Sequence, residues 1–233
     1  MIKTFLFDMG NVLVHFSHDL MCENIGALCD RSGADVRRLL IDSGLQWDFE
    51  RGTISDAAFH ARFEACVSRK IDFPSLLAAG SDIFQLNASI LPVLDTLRSR
   101  GHRLVLLSNT SSAHFDWVAR HYSVLQRFDD FVVSFRVGAL KPEPVIFAAA
   151  LQAIQCDPSE CFYTDDIPAY IDAGRKHGLH AEVFTDTANL VRQLVSHGID
   201  LTGRIVDGSP AFFERPGFSA DRETNRSLAR ESA

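Results

Sequence analysis

Five side chains lying between positions 8 and 166 fit together chemically: the carboxylates of Asp8, Asp165 and Asp166, the hydroxyl of Ser108 and the ammonium of Lys141. Taken singly, each has an ordinary explanation. An Asp behind a strand is a common turn former, Ser-Asn-Thr is a common helix N-cap cluster, and a Lys before Pro is usually solvated. Their shared placement is harder to explain away, because each directly follows a short apolar run or opens the helix after one. Three carboxylates gathered at one edge repel one another unless a cation sits among them, and hard oxygen donors suit Mg²⁺. Such a group is equipped for phosphoryl transfer to an aspartate, which splits one difficult hydrolysis into formation and hydrolysis of an acyl phosphate. Mg²⁺ would screen the phosphate dianion from the attacking carboxylate. Ser108 can donate to phosphate oxygens, and Lys141 supplies a point charge that stabilises the phosphoryl group and orients Asp8.

The apolar runs that must position these groups are residues 2–7, 103–107, 131–134, 161–164 and 181–184. Near-continuous apolar stretches of this length are the pattern of strands buried on both faces. Helical patterns at 91–100, 112–121, 144–154 and 169–177 lie between them, with Gly101 and Gly178 as stops. The alternation predicts an α/β protein with a parallel sheet and helices on both faces, binding its ligand at the carboxyl ends of the strands. The stretch 17–88 breaks this rhythm, with helix-like segments at 19–29, 34–43, 55–69 and 73–84, Ser55 as an N-cap, and nothing resembling a buried strand. It is expected to be an all-helical cap inserted after the first strand. The core is then 1–16 and 89–204, and 205–233 reads as a flexible tail.

The 233 residues are 46% hydrophobic and 23% charged, which excludes a wholly disordered chain, collagen or a coiled coil. A formal charge of −7 argues against a nucleic-acid or anionic-membrane binder, but not against a small anionic substrate. Cysteines at 22, 29, 66, 156 and 161 are odd in number and lack CxxC spacing, so neither a disulfide framework nor a zinc knuckle is expected. They read as reduced thiols of a cytoplasmic protein. The N-terminal apolar stretch carries Asp8 in its middle and lacks an A-x-A-like cleavage site, so it reads as a strand and not a signal peptide. No apolar run approaches the roughly 18 residues of a membrane span. No motif fixes the oligomeric state.

FDMGNVLV, LLSNTS, LKPEPVIF and FYTDDIPAY occur in that order along the chain. In this order they resemble the four motifs of the haloacid dehalogenase (HAD) superfamily. The resemblance implies a Rossmann-like core, a helical cap after the first motif, and Mg²⁺-dependent phosphatase activity on a small phosphorylated metabolite through an aspartyl-phosphate. By the same resemblance, Asp8 is the nucleophile, Ser108 with its neighbour Asn109 binds phosphate, and Lys141 is the phosphate-binding lysine. Asp165 and Asp166 are the acidic pair that joins Asp8 and the carbonyl of Gly10 around the metal. The FDxGNV form is similar to a subgroup that includes bacterial sugar-phosphate phosphatases.

Two positions depart from the pattern. Gly10 stands where a second Asp usually acts as general acid and base, and Tyr170 stands where Asn is common. Losing the acid costs on the order of 10²–10⁴ in rate with a poor leaving group, and less with an anomeric or acyl phosphate. His15 and His18 are candidate substitutes, although a surface or core-edge position explains them more simply. Dehalogenases of the superfamily also lack that Asp, but halide displacement needs no metal, and the Asp165–Asp166 pair would repel a carboxylate substrate. A phosphomutase needs the missing Asp still more. A binding protein on a degenerate scaffold is the non-enzymatic alternative, opposed by the retained nucleophile, Ser, Lys and acidic pair. Trp47 and Phe49 are candidates for an apolar or sugar-stacking surface, with packing between cap and core as their simpler role. Asp48, Glu50 and Arg51 read as solvated.

Overall fold

The computed structural model describes residues 1–201; the segment read as a tail, 205–233, lies outside the described residues. The strands are β1 (Thr4–Phe7), β2 (Val14–His15), β3 (Gln85–Leu86), β4 (Arg103–Ser108), β5 (Asp130–Val133), β6 (Cys161–Asp165) and β7 (His180–Val183). Five of them form a parallel sheet in the order β5-β4-β1-β6-β7. The sequence dictates its burial through the two-residue period of strands. Phe5, Phe7, Leu104, Leu106 and Phe162 enter the apolar cluster on one face. Leu6, Val105, Leu107, Cys161 and Tyr163 enter the cluster on the other.

Five helices precede the second half of the sheet: α1 (His18–Cys29), α2 (Gly33–Arg37), α3 (Leu45–Arg51), α4 (Asp56–Val67) and α5 (Phe73–Ser81). Six follow: α6 (Leu91–Ser99), α7 (Ser112–His121), α8 (Ser134–Val137), α9 (Pro144–Ala153), α10 (Pro168–Lys176) and α11 (Thr187–Ser196). Residues of α6, α7 and α11 cover the Phe5/Phe7 face, and residues of α9 and α10 cover the other. This is the Rossmann-like α/β arrangement expected from the strand pattern. Among the described residues no helix is long and apolar enough to cross a membrane.

The first five helices share an apolar cluster of their own, which includes Met21, Ile25, Leu40, Phe49, Phe63 and Leu76. Ser17, Ser32, Ser55 and Asp72 begin α1, α2, α4 and α5 as side-chain N-caps, Ser32 in a full capping box with Asp35. Four features depart from the sequence reading. The expected helix over 34–43 is α2 running into a π-helical turn over Arg38–Asp42. α3 was not anticipated, since it is only seven residues long, set between Gly44 and Gly52 at φ 85° and 76°. A two-stranded antiparallel ribbon, β2 with β3, joins the chain entering the helical unit to the chain leaving it. Its β3 residues are only half-buried, so they carry no buried-strand signature. Ser134, expected to end a strand, instead opens α8.

The C-terminal end of α3 is fastened to the sheet domain. Arg51 makes a bidentate pair with Glu143, at 2.7 and 2.6 Å, and Ser134 Oγ donates to the Glu50 carbonyl at 2.6 Å. A Cβ on Gly52 would fall onto the backbone carbonyl of Phe135. Gly44 has a similarly positive φ, but nothing lies within 4 Å of where its Cβ would be. Gly52→Ala is therefore expected to cost about 1–3 kcal/mol more in urea unfolding than Gly44→Ala; equal losses would mean that α3 is not held this tightly.

Candidate active site

The parallel register levels the ends of three strands. Phe7 pairs with Leu106 on one side and Thr164 on the other. Asp8, Ser108 and Asp165 therefore emerge at one carboxyl edge, beside the point where the strand order reverses. The structure brings the expected groups together there. Lys141, 2% exposed, donates to Asp8 Oδ1 at 2.8 Å, to Asp165 Oδ2 at 2.6 Å and to the Leu107 carbonyl at 2.9 Å. Asp165 is further fixed by the Tyr163 hydroxyl at 2.6 Å and the Ile167 amide at 2.9 Å. Asp166 accepts from Asn11 Nδ2 at 3.1 Å, while its other oxygen is buried with no partner.

Burial pushes the Asp8 carboxyl up to about 6, with Asp165 adding to the shift and Lys141 opposing it. Burial, then the charges of Asp165 and Asp8, push Asp166 to about 7. Burial alone would lower the Lys141 ammonium, but Asp165 and Asp8 outweigh it and hold it above its ordinary value. One ammonium cannot neutralise three carboxylates. Asp8, Asp165 and Asp166 each offer an oxygen, all within 4.8 Å of one another. Together with the orphaned oxygen of Asp166, this all-oxygen set fits a hard divalent cation.

The remaining expected residues have specific places. Asn109 spends its carboxamide on the backbone of Lys141: Oδ1 accepts from the Lys141 amide at 2.7 Å and Nδ2 donates to the Lys141 carbonyl at 3.1 Å. These two contacts hold the backbone of Lys141 in place, and Asn109 also lines the cleft above Asp8. The Ser108 hydroxyl is buried at the end of β4, with only a long 3.5 Å contact to the Asn109 carbonyl. A Cβ on Gly10 would lie 2.8 Å from Phe16 Cε1, so an aromatic ring occupies the space that a second aspartate would need. Tyr170 is buried, with its hydroxyl 3.4 Å from Asn109 Nδ2 and its ring 5.2 Å from Lys141 Nζ.

A cleft opens above Asp8 and Lys141. Its walls include Phe16, His18, Trp47, Phe84, His114 and Tyr170, together with Glu50. Trp47 thus lies where the sequence placed a stacking surface, but Phe49 does not, since it stacks on Phe59 inside the helical unit at 4.4 Å. Of the three charges read as solvated, Asp48 faces solvent and pairs with Arg62, and Arg51 pairs with Glu143. Glu50 is the exception: it is 6% exposed. It shares a helical face with Leu45, Gln46 and Phe49, all buried. That spacing was the only available sequence signal, and a seven-residue helix was too short to display it. His114 and Ser134 had no signal at all. Burial, then His114 and Arg37, depress His18 to about 3, so it has no proton to donate near neutrality. His15 sits on β2 and is not among the residues lining the cleft.

Fold and site together define an α/β protein with a buried carboxylate–ammonium centre under a helical unit. A family model for haloacid dehalogenase-like hydrolases matches residues 2–178, and the chain belongs to that family. It is 25% identical over 186 residues to D-ribitol-5-phosphate phosphatase of Bacteroides thetaiotaomicron, covering 76% of this chain and 89% of that protein. It is 29% identical over 126 residues to rat bifunctional epoxide hydrolase 2, covering 52% of this chain but only 22% of the relative. Among solved structures, a HAD family enzyme of B. thetaiotaomicron in complex with magnesium and inorganic phosphate superposes with a TM-score of 0.73 at 24% identity, over 82% of this chain and 99% of that one.

Burial also depresses His114 to about 4, against the pull of the Gly80 carbonyl at 3.1 Å. Above pH 6.5, His114 is neutral in both folded and unfolded chains. Between 6.5 and 4 only the unfolded chain takes the proton, so stability contributed at this position falls by about 1.4 kcal/mol per pH unit. The stability advantage of wild type over His114→Leu should narrow by that amount as urea unfolding is repeated from pH 6.5 down to 4.5. A constant gap would mean that His114 is protonated in the folded state.

Proposed function

We propose that this chain is a Mg²⁺-dependent phosphatase that hydrolyses a small phosphomonoester through an aspartyl-phosphate on Asp8. The observation that carries the reading is the surplus of buried carboxylate around a single ammonium, with Asp166 keeping an unpartnered buried oxygen. A halide-displacing site has no use for that surplus, and it would repel a haloacid carboxylate. The phosphatase relative and the magnesium-and-phosphate complex of a structural relative support the same reading.

Asp8, Asp165, Asp166 and the Gly10 carbonyl are the residues that would hold Mg²⁺. When bound, the ion supplies positive charge that offsets the phosphate dianion and polarises its oxygens. The residues of the chain do the rest. Lys141 holds Asp8 through Oδ1, which leaves the second carboxylate oxygen to attack phosphorus while the ester oxygen departs. Water then cleaves the acyl phosphate and regenerates Asp8. The Ser108 hydroxyl is the donor for phosphoryl oxygens, and the ammonium of Lys141, whose protons are held by Asp8, Asp165 and the Leu107 carbonyl, acts on them as a point charge. Asn109 keeps Lys141 in register through both of its backbone groups.

The helical unit, residues 17–88, acts as a cap over the core formed, among the described residues, by 1–16 and 89–201. Its cleft wall is aromatic, and Lys141 is the only ammonium or guanidinium group lining the cleft among the described residues. This favours a leaving group without a second anionic group. A sugar phosphate fits, with its C–H face against Trp47 or Phe84 and a hydroxyl on His18 Nδ1, which is buried without a partner.

Hydrolysis of p-nitrophenyl phosphate with Mg²⁺, then with EDTA, then by Asp8→Asn, tests the reading. Turnover should fall by on the order of 10³ or more without either the metal or the carboxylate nucleophile. Turnover that survives Asp8→Asn, or chloride release from 2-haloacids in its place, would refute it.

A further inference from the structure

We infer that Glu50, on the helix fastened against the core, is the proton donor to the leaving-group oxygen and, in the second half-reaction, the base for the attacking water. The inference rests on the phosphatase reading. It begins from the vacancy at position 10, where the Phe16 ring fills the space of the usual acid. Glu50 lines the same cleft as Asp8, Lys141 and Tyr170. Its Oε1 accepts from Gln46 Nε2 at 2.9 Å, while Oε2 takes no hydrogen bond within the described chain. An amide donating to one oxygen leaves the other as the site of the proton, free to face a ligand.

Glu50 is also held where it is. Ser134 Oγ fixes its carbonyl, Arg51 locks onto Glu143, and Gly52 lies against Phe135. Burial pushes its carboxyl up to about 7, opposed only by Gln46, so near neutrality it is poised between acid and base. The other groups around the cleft do not fill this role. His18 and His114 are held neutral, burial pushes the Tyr170 hydroxyl up, and Lys141 is bound to two carboxylates. Asp48 and Arg51 are paired elsewhere.

In the first step Asp8 forms a bond to phosphorus, the bond from phosphorus to the ester oxygen breaks, and the Glu50 proton passes to that oxygen, giving a neutral alcohol. In the second step Glu50 takes a proton from water as the water oxygen bonds to phosphorus. The Asp8–phosphorus link breaks, and phosphate leaves with Asp8 and protonated Glu50 restored.

A series of aryl phosphates, from p-nitrophenyl to phenyl, separates this role from a structural one. In rapid-mixing experiments with Mg²⁺, Glu50→Gln should slow the burst of phenol release from phenyl phosphate by on the order of 10², but that of p-nitrophenol by less than about tenfold. Steady-state turnover of both should fall, because the acyl phosphate accumulates. Glu50→Met, apolar and of similar size, should reproduce the steep dependence on leaving group. Asp48→Asn, which removes a solvent-facing carboxyl from the same helix, should not. Equal slowing across the series, no slowing, or a steep dependence in Asp48→Asn would each overturn the inference. If such a result came with intact Asp8-dependent turnover, Glu50 alone would be lost; wild type without that turnover would bring down the phosphatase reading and this inference with it.

Discussion

The ammonium of Lys141 lies between the carboxylates of Asp8 and Asp165 and spends its third proton on the Leu107 carbonyl, so every donor it has is used inside the protein. Two carboxylates this deeply buried would otherwise repel each other with nothing to offset the repulsion. Removing one member of such a group typically costs about 3–5 kcal/mol, because the remaining charge is left uncompensated. The surrounding structure serves this contact. The parallel register brings the ends of β1, β4 and β6 level, Tyr163 and the Ile167 amide fix Asp165, and Asn109 grips the backbone of Lys141 from both sides. The sheet is therefore a frame that fixes the distance between an ammonium and two carboxylates contributed from far apart in sequence.

The same contact sets the remaining charge balance. Because Lys141 is committed to Asp8 and Asp165, it can do little for Asp166, whose carboxyl is raised and whose second oxygen has no partner. A buried polar atom left in this way is costly, and it persists here beside the carboxylates of Asp8 and Asp165 instead of inside the apolar core. The donor set is thus incomplete in the protein alone, and a hard cation completes it. A dianion arriving from the cleft would then meet an ammonium and a cation on one side and neutral aromatic walls on the other.

The sheet and the reactive edge were legible because both write themselves locally. A four-to-six-residue apolar run with a polar residue directly after it places Asp8, Ser108 and Asp165 without reference to any distant contact. The elements that escaped were decided by tertiary packing. The ribbon of β2 and β3 has only two residues per strand and exists because the entry and exit of the helical unit must meet. The shared buried face of Gln46 and Glu50 cannot be recognised until a helix is known to lie there. Asn109 was read through its neighbour Ser108 as a ligand for phosphate; that its carboxamide also braces the backbone of Lys141 was not visible. That bracing depends on where residue 141 lies in space, 32 positions further along the chain.

Gly10 and Glu50 are best understood together. In a site whose acid sits two residues after the nucleophile, acid and nucleophile belong to the same rigid loop and are always aligned. Here that place is taken by Phe16, whose ring contacts His18 and Phe84 and so helps tie the helical unit to the mouth of the cleft. If the proton comes instead from Glu50, the acid belongs to the helical unit and not to the loop of the nucleophile. It reaches the ester oxygen only while Ser134, Glu143 and Phe135 hold the end of α3 against the core. The same packing buries the carboxyl and so raises it into its useful range, so one set of contacts fixes both its position and its acidity. Freed from that packing, Glu50 would be a solvated carboxylate with almost no proton to give near neutrality, so the contacts of Ser134, Glu143 and Phe135 with the end of α3 matter to its acidity as much as to its place.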